Sequence, residues 1–163
     1  MIMERIFKIF ILLVATSLLV CCGTNKSQSY YDYETECIGT ELDGSLTLRS
    51  WGRARNAADA YVQAQKQAVY DVIFTGITKK NSTCMCDTKP LLLEVNAKEK
   101  YEDYFNKFFA DGGAYTEYAS MKEKHVMTSN YSKTDAQHLC QTTVCVFRDK
   151  LKQRLIEDKI LKK

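Results

Sequence analysis

The sequence predicts an α+β domain: a small mixed or antiparallel sheet packed by a long alanine-rich helix, a second, aromatic helix and a C-terminal helix. Three observations carry this. Residues 53–75 place Ala54, Ala57, Ala58, Tyr61, Ala64, Ala68, Val69 and Val72 at spacings of three and four, which is one face of a helix. Residues 46–51 and 139–147 alternate side chains with the period of two that a strand requires. Residues 148–161 return to helical spacing with Leu151, Leu155, Ile156 and Ile160.

Each element follows in chain order. Asp43-Gly44 separates two short runs and reads as a type I′ hairpin turn, because both residues tolerate positive φ. In the strand after it, Leu46, Leu48 and Ser50 share one face, and Thr47, Arg49 and Trp51 the other. Gly52 is expected to break this strand before the long helix, and Gly76 to stop the helix. The helix carries so much alanine that its backbone is expected to approach the sheet closely. Its polar side holds Asp59, Gln63, Lys66, Gln67 and Asp71, and a carboxylate there reads as a solvated side chain, not a catalyst. Residues 77–89 form a polar loop with Cys84 and Cys86, and Pro90 opens a short apolar run, 91–95. Asn96 with Glu99 reads as a capping box for the second helix. That helix presents Tyr101, Tyr104, Phe105 and Phe108, with Phe109 alongside, a stripe that reads as core before it reads as a ligand face. Asp111-Gly112-Gly113 ends it. Residues 114–121 are expected to form a strand, and another begins near Lys124 or after Ser129-Asn130. Lys159, Lys162 and Lys163 suit the negative end of the terminal helix.

Ahead of the domain lies a segment of another kind. Arg5 and Lys8 precede an apolar run from Ile9 to Val20, which ends at Cys21-Cys22-Gly23. The run is shorter than the roughly 20 residues a membrane-spanning helix needs, and reads as a secretory signal. With its terminal cysteines it resembles a bacterial lipoprotein signal, in which a cysteine takes a diacylglycerol thioether and becomes the new N-terminus. The resemblance favours Cys22, because Cys21 before it is smaller than the Val20 that would precede Cys21, the alternative site. Such acyl chains hold a protein on a bilayer, each buried methylene contributing about 0.8 kcal/mol. The organisation is then signal peptide 1–21, lipidated N-terminus and polar tether 22–36, and one domain 37–163. The tether contains a tyrosine cluster, Tyr30, Tyr31 and Tyr33, and lacks the early acidic run that marks surface export in similar lipoproteins. The expected location is therefore the outer membrane, facing the periplasm.

Removing residues 1–21 takes away Arg5, Lys8 and Glu4 and lowers the formal net charge from +3 to +2. So small an imbalance gives no reason to expect nucleic acid as a partner. Five cysteines remain beyond the anchor pair: Cys37, Cys84, Cys86, Cys140 and Cys145. In an oxidising envelope they pair or stay as thiols, and an odd number leaves at least one over or bridges chains. Cys84 and Cys86 are too close to bridge each other comfortably. Cys84-Met-Cys86 with His138-Leu-Cys140 is a weaker, metal-binding alternative, and no metal or other cofactor is expected.

No G-x-S-x-G elbow, H-E-x-x-H helix or phosphate-binding glycine loop is present. His125 and His138 lie in no visible triad, so no catalytic residue is assigned. The string from Ser45 to Val72, with its Ala54-Arg55-Asn56-Ala57-Ala58 start of helix, resembles small envelope α+β domains. These include the N-terminal domain of flagellar assembly protein T and related outer-membrane lipoproteins. More closely, residues 37–161 resemble an uncharacterised lipoprotein family of Bacteroidetes. The marks are Glu41-Leu-Asp-Gly-Ser, Glu94-Val-Asn-Ala-Lys-Glu-Lys-Tyr-Glu-Asp-Tyr-Phe-Asn-Lys-Phe-Phe and Leu151-Lys-Gln-Arg-Leu-Ile-Glu-Asp. The resemblance implies an adaptor or assembly part without a shared active site. The expected function is a non-catalytic, lipid-anchored envelope protein that binds another envelope protein or peptidoglycan. The alternatives are a small hydrophobic-ligand or lipid-binding domain on the Tyr101, Tyr104, Phe105, Phe108 face, or a thiol or metal protein.

Overall fold

Strand β1 (Glu36–Thr40) turns back into the longer β2 (Leu46–Ala54), and the two pair antiparallel, Cys37 opposite Leu48. A computed structural model describes residues 33–81, 84–127 and 138–162, and the backbone alone at 125–127. The signal, Cys21, Cys22, most of the tether and Ser129-Asn130 lie outside the described residues. The connection differs from a type I′ turn: only Gly44 has positive φ, at 80°. Glu41 N–H bonds Ser45 O at 2.8 Å and Gly44 N–H bonds Glu41 O at 3.0 Å. This is a three-residue loop whose last residue takes the left-handed conformation, the next commonest hairpin solution. Asp43 serves through its side chain, accepting from Ser45 N at 3.0 Å and Ser45 Oγ at 2.6 Å.

Gly52 does not break β2; it sits inside it, paired with Cys140. Its missing side chain has a packing cause. A Cβ there would lie 2.0 Å from Ala60 O and 2.3 Å from Ala64 N of helix α1 (Ala57–Tyr70). The alanine face thus brings α1 backbone against sheet backbone, with Ala60, Ala64 and Ala68 fully buried. Helix α1 starts four residues later than the periodicity predicts, because Asn56 caps it, its side chain accepting from Asp59 N at 2.8 Å.

Beyond Tyr70 the helix widens into a π-helical turn, Asp71–Thr75, closed by Gly76 N–H to Asp71 O at 2.6 Å. The carbonyls of Val72 and Ile73 accept from Leu91 N at 2.9 Å and Leu92 N at 2.8 Å, so the apolar run after Pro90 completes the turn. Asp71 is buried rather than solvated. Thr35 Oγ1 donates to its Oδ2 at 2.5 Å and Gln67 Nε2 to its Oδ1 at 2.9 Å. Thr35 is buried and Glu36 opens β1, so ordered structure takes in the last residues the sequence assigns to the tether.

The loop at 77–89 contains a short strand, β3 (Thr78–Lys79), parallel to β1. The aromatic helix is two pieces, α2 (Ala97–Lys100) and α3 (Glu102–Phe108). Asn96 takes φ 61° and makes no side-chain capping bond, so there is no capping box. Residues 114–118 form a 3₁₀ turn instead of the first part of a strand, and β4 runs Ala119–Met127. β5 (His138–Val146) lies between β2 and β4, and α4 (Arg148–Glu157) closes the chain. The fold is α+β, and among the described residues the mixed sheet has the order β3-β1-β2-β5-β4. Leu46, Leu48, Val144 and Val146 share one core with Val69, Phe105, Leu151 and Leu155. No helix among the described residues is long and apolar enough to cross a membrane.

Candidate functional site

The sequence-predicted aromatic face divides between two environments. Phe105 and Phe108 are 4 % exposed and belong to the core. Tyr104 is half-buried and donates from its hydroxyl to Asp158 Oδ2 at 2.7 Å, where Arg154 Nε also bonds at 2.6 Å. Burial and that carboxylate hold the Tyr104 phenol well above its ordinary range. Burial alone would raise Asp158, but the bonds from Arg154 and Tyr104 outweigh it and keep the carboxyl low. Tyr101 is half-buried, with Lys100 Nζ 5.0 Å from its ring centre. Of the four, Phe105 lines a cleft.

That cleft, about 500 Å³, lies between α1 with its π turn and the pair α2–α3. Tyr70, Phe74, Phe105 and Phe109 supply its aromatic side. Tyr70 and Phe74 lie 4.8 Å apart, and Phe74 meets Phe105 edge-on at 4.7 Å. Gln63, Gln67, Asn106, Glu99, Glu102, Lys66 and Lys98 supply the polar side. Lys66 is bonded to Asp111 at 2.7 Å, which keeps that carboxyl below its ordinary range, and Lys98 Nζ stands 5.4 Å from the Tyr70 ring centre. Among the described residues the lining contains no Ser, Thr, Cys or His; its ionisable side chains are those of Tyr70, Glu99, Glu102, Lys66 and Lys98. The lining offers ring faces to apolar groups, and amides and charges that could orient them.

The sequence pattern does not reveal most of this lining, since it places Gln63, Lys66 and Gln67 simply on the polar side of the helix. One signal was available. Tyr70 and Phe74 stand four residues apart and off the alanine face, which makes a second, narrower apolar stripe on the same helix.

The cysteines are distributed as follows. Cys37 is bonded to Cys86, their Cα atoms 6.5 Å apart, while Cys84, Cys140 and Cys145 are thiols. Cys140 is buried under Ala60 and Tyr61. Cys145 donates to Ser45 Oγ at 3.3 Å beside the β1–β2 loop. Cys37 pairs with Leu48 and Cys140 with Gly52, four residues further along β2, so the C-x-C and H-x-C segments do not meet. Among the described residues no three His, Cys, Asp or Glu side chains are grouped to hold a metal ion. His138 stands opposite Ala54 at the end of β5, and the side chain of His125 is outside the described residues.

No protein-family model, curated protein or solved structure matches the chain.

Proposed function

We propose that this is a non-catalytic, lipid-anchored envelope protein that binds a partner in the cleft between α1 and α2–α3. The observation that carries the reading is the cleft itself. Tyr70, Phe74 and Phe109 are half-buried there and stand beside the buried Phe105. Half-exposed rings flanked by amides are the composition of a binding hot spot, not of a catalytic centre. The signal-like first 21 residues and Cys22, with Cys21 as the alternative, support an anchor on the outer membrane, facing the periplasm. The resemblance to Bacteroidetes lipoproteins supports the same reading. Another envelope protein or peptidoglycan is the occupant the reading expects.

The test uses the full-length chain in its own envelope. A photo-crosslinking residue replaces Asn106, which is exposed at the cleft rim. A discrete cross-linked product, lost when Gln63→Trp fills the cleft and absent when the crosslinker is moved to exposed Glu117, supports the reading. No product at Asn106, or one that Gln63→Trp leaves unchanged, refutes it. Cys22→Ser is expected to move the chain from the detergent phase to the aqueous phase; retention by the double Cys21→Ser, Cys22→Ser variant refutes the lipid anchor.

The same half-exposed rings favour a second reading, a small hydrophobic ligand. Native mass spectrometry of the gently purified protein separates the two: a co-purifying small molecule of constant mass, released by Gln63→Trp, selects the ligand.

A further inference from the structure

Three cysteines meet at strand β1, which lies between β2 and the two-residue β3. Cys37 is fully buried within it and bonded to Cys86. In the segment Cys84-Met85-Cys86, Met85 is 91 % exposed and Cys86 is buried, while Cys84 packs half-buried against the core cluster that contains both bridged cysteines. Alternate residues therefore point opposite ways, as in extended chain, and both cysteines face the core. The Cys84 thiol donates to Ile38 O at 3.1 Å, on the residue that follows Cys37. Thr40 Oγ1 holds the same segment at Met85 O, 2.8 Å away. Two residues of extended chain span about 7 Å, so a shift of the segment on that scale brings Cys84 to the place of Cys86.

We propose that Cys84 exchanges with Cys86, so that Cys37 is bridged by either neighbour and the 84–86 loop is a thiol–disulfide exchange site. Cys84 gives its proton to solvent. Its thiolate attacks Cys37 Sγ, and a Cys84–Cys37 bond forms as the Cys37–Cys86 bond breaks. The electron pair leaves on Cys86 Sγ, which takes a proton. One disulfide and one thiol stand on each side, so no oxidant or reductant is consumed. Cys140 and Cys145 take no part, because both are buried away from this loop. The outcome is a staple that keeps β1 tied to the loop while either of two thiols is released, the arrangement needed for handing a disulfide to a second thiol.

The experiment uses the full-length chain purified in detergent without reductant. It is held at a series of mildly alkaline pH values, thiols are blocked with N-ethylmaleimide in acid, and the chain is cut with cyanogen bromide. Cleavage after Met85 separates Cys84 from Cys86. Both Cys37–Cys86 and Cys37–Cys84 fragments are expected. The rate at which the second appears should rise about tenfold per pH unit while the thiol remains mostly protonated, because the thiolate is the nucleophile. Cys86→Ser should carry the Cys37–Cys84 bond. Finding Cys37–Cys86 alone at every pH overturns the proposal, and so do bridges to Cys140 or Cys145, which require exchange through the unfolded chain. The wild-type fragment map decides the matter even if Cys86→Ser fails to fold.

Discussion

Gly52→Ala should be among the most destabilising single-methyl additions in this protein. The added Cβ would meet Ala60 O at 2.0 Å and Ala64 N at 2.3 Å, where ordinary contact begins at 3.4 Å. Both obstacles are backbone, so no side chain can swing aside. Helix α1 has to retreat by more than 1 Å, and it carries Ala60, Ala64, Ala68 and Val69, all fully buried, away from the sheet. A gap of 0.5–1 Å already forfeits about a quarter to a half of each dispersion contact. Overpacking costs about 1–3 kcal/mol when side chains can adjust, so a backbone clash belongs at about 3 kcal/mol or above. Urea denaturation followed by far-ultraviolet circular dichroism reads this directly, as a midpoint lowered by about 1–3 M at ordinary slopes. Gly39→Ala is the control: nothing lies within 4 Å of a Cβ there, and its midpoint should stay close to that of the wild type. A loss below about 1 kcal/mol for Gly52→Ala would show that α1 does not rest backbone to backbone on β2.

Burial holds the Asp71 carboxyl above its ordinary range, against the bonds from Thr35, Gln67 and Thr75, so the folded chain retains a proton there that the unfolded chain has released. Stability from this group is therefore greatest below the unfolded carboxylate value, about 3.9, and is lost as pH rises through the folded one; Asp71→Asn should remove that slope and equal or exceed the wild type in urea stability at neutral pH. A variant that is less stable at neutral pH and keeps the slope would contradict this. Tyr104→Phe removes the hydroxyl that donates to Asp158 and should cost about 1.5–3 kcal/mol, the range for a hydrogen bond to a charged group. Asp158 is held low, so its share of stability is present above the unfolded carboxylate value and falls away as pH drops through the folded one. Tyr104→Phe should weaken that acid-side loss, and a midpoint unchanged in both respects would show the bond to contribute nothing.

Local pattern made the strands and the helix faces legible wherever one side of an element is buried and the other is not. Leu46, Leu48 and Ser50 alternate with Thr47, Arg49 and Trp51 in the structure as in the sequence. Leu151 and Leu155 face inward, as their spacing requires. The readings that failed depend on a distant partner. Gly52 looks like a strand breaker until α1 is laid across it. Asp71 looks solvated until Thr35, 36 residues earlier, arrives to bond it. Residues 114–118 carry strand-like tyrosines, yet the chain there bends into a 3₁₀ turn that buries Tyr115 and Tyr118 against the core. The cleft was hidden for the same reason: its two sides come from α1 with its π turn and from α2–α3, separated in sequence by the loop and the apolar run between them, and each looks like an ordinary amphipathic surface alone.

By itself the sequence determined the α+β class, the alanine face of α1, and the inward positions of β2, β5 and α4. These follow from hydrophobic periodicity, which any chain burying one face must display. Only the tertiary structure decided which cysteine joins Cys37, where Asp71 lies, and that Tyr70, Phe74, Phe105 and Phe109 meet around one cleft. A disulfide, a buried carboxylate and a cleft are each fixed by the distance between atoms remote in sequence, and local periodicity carries no record of that distance.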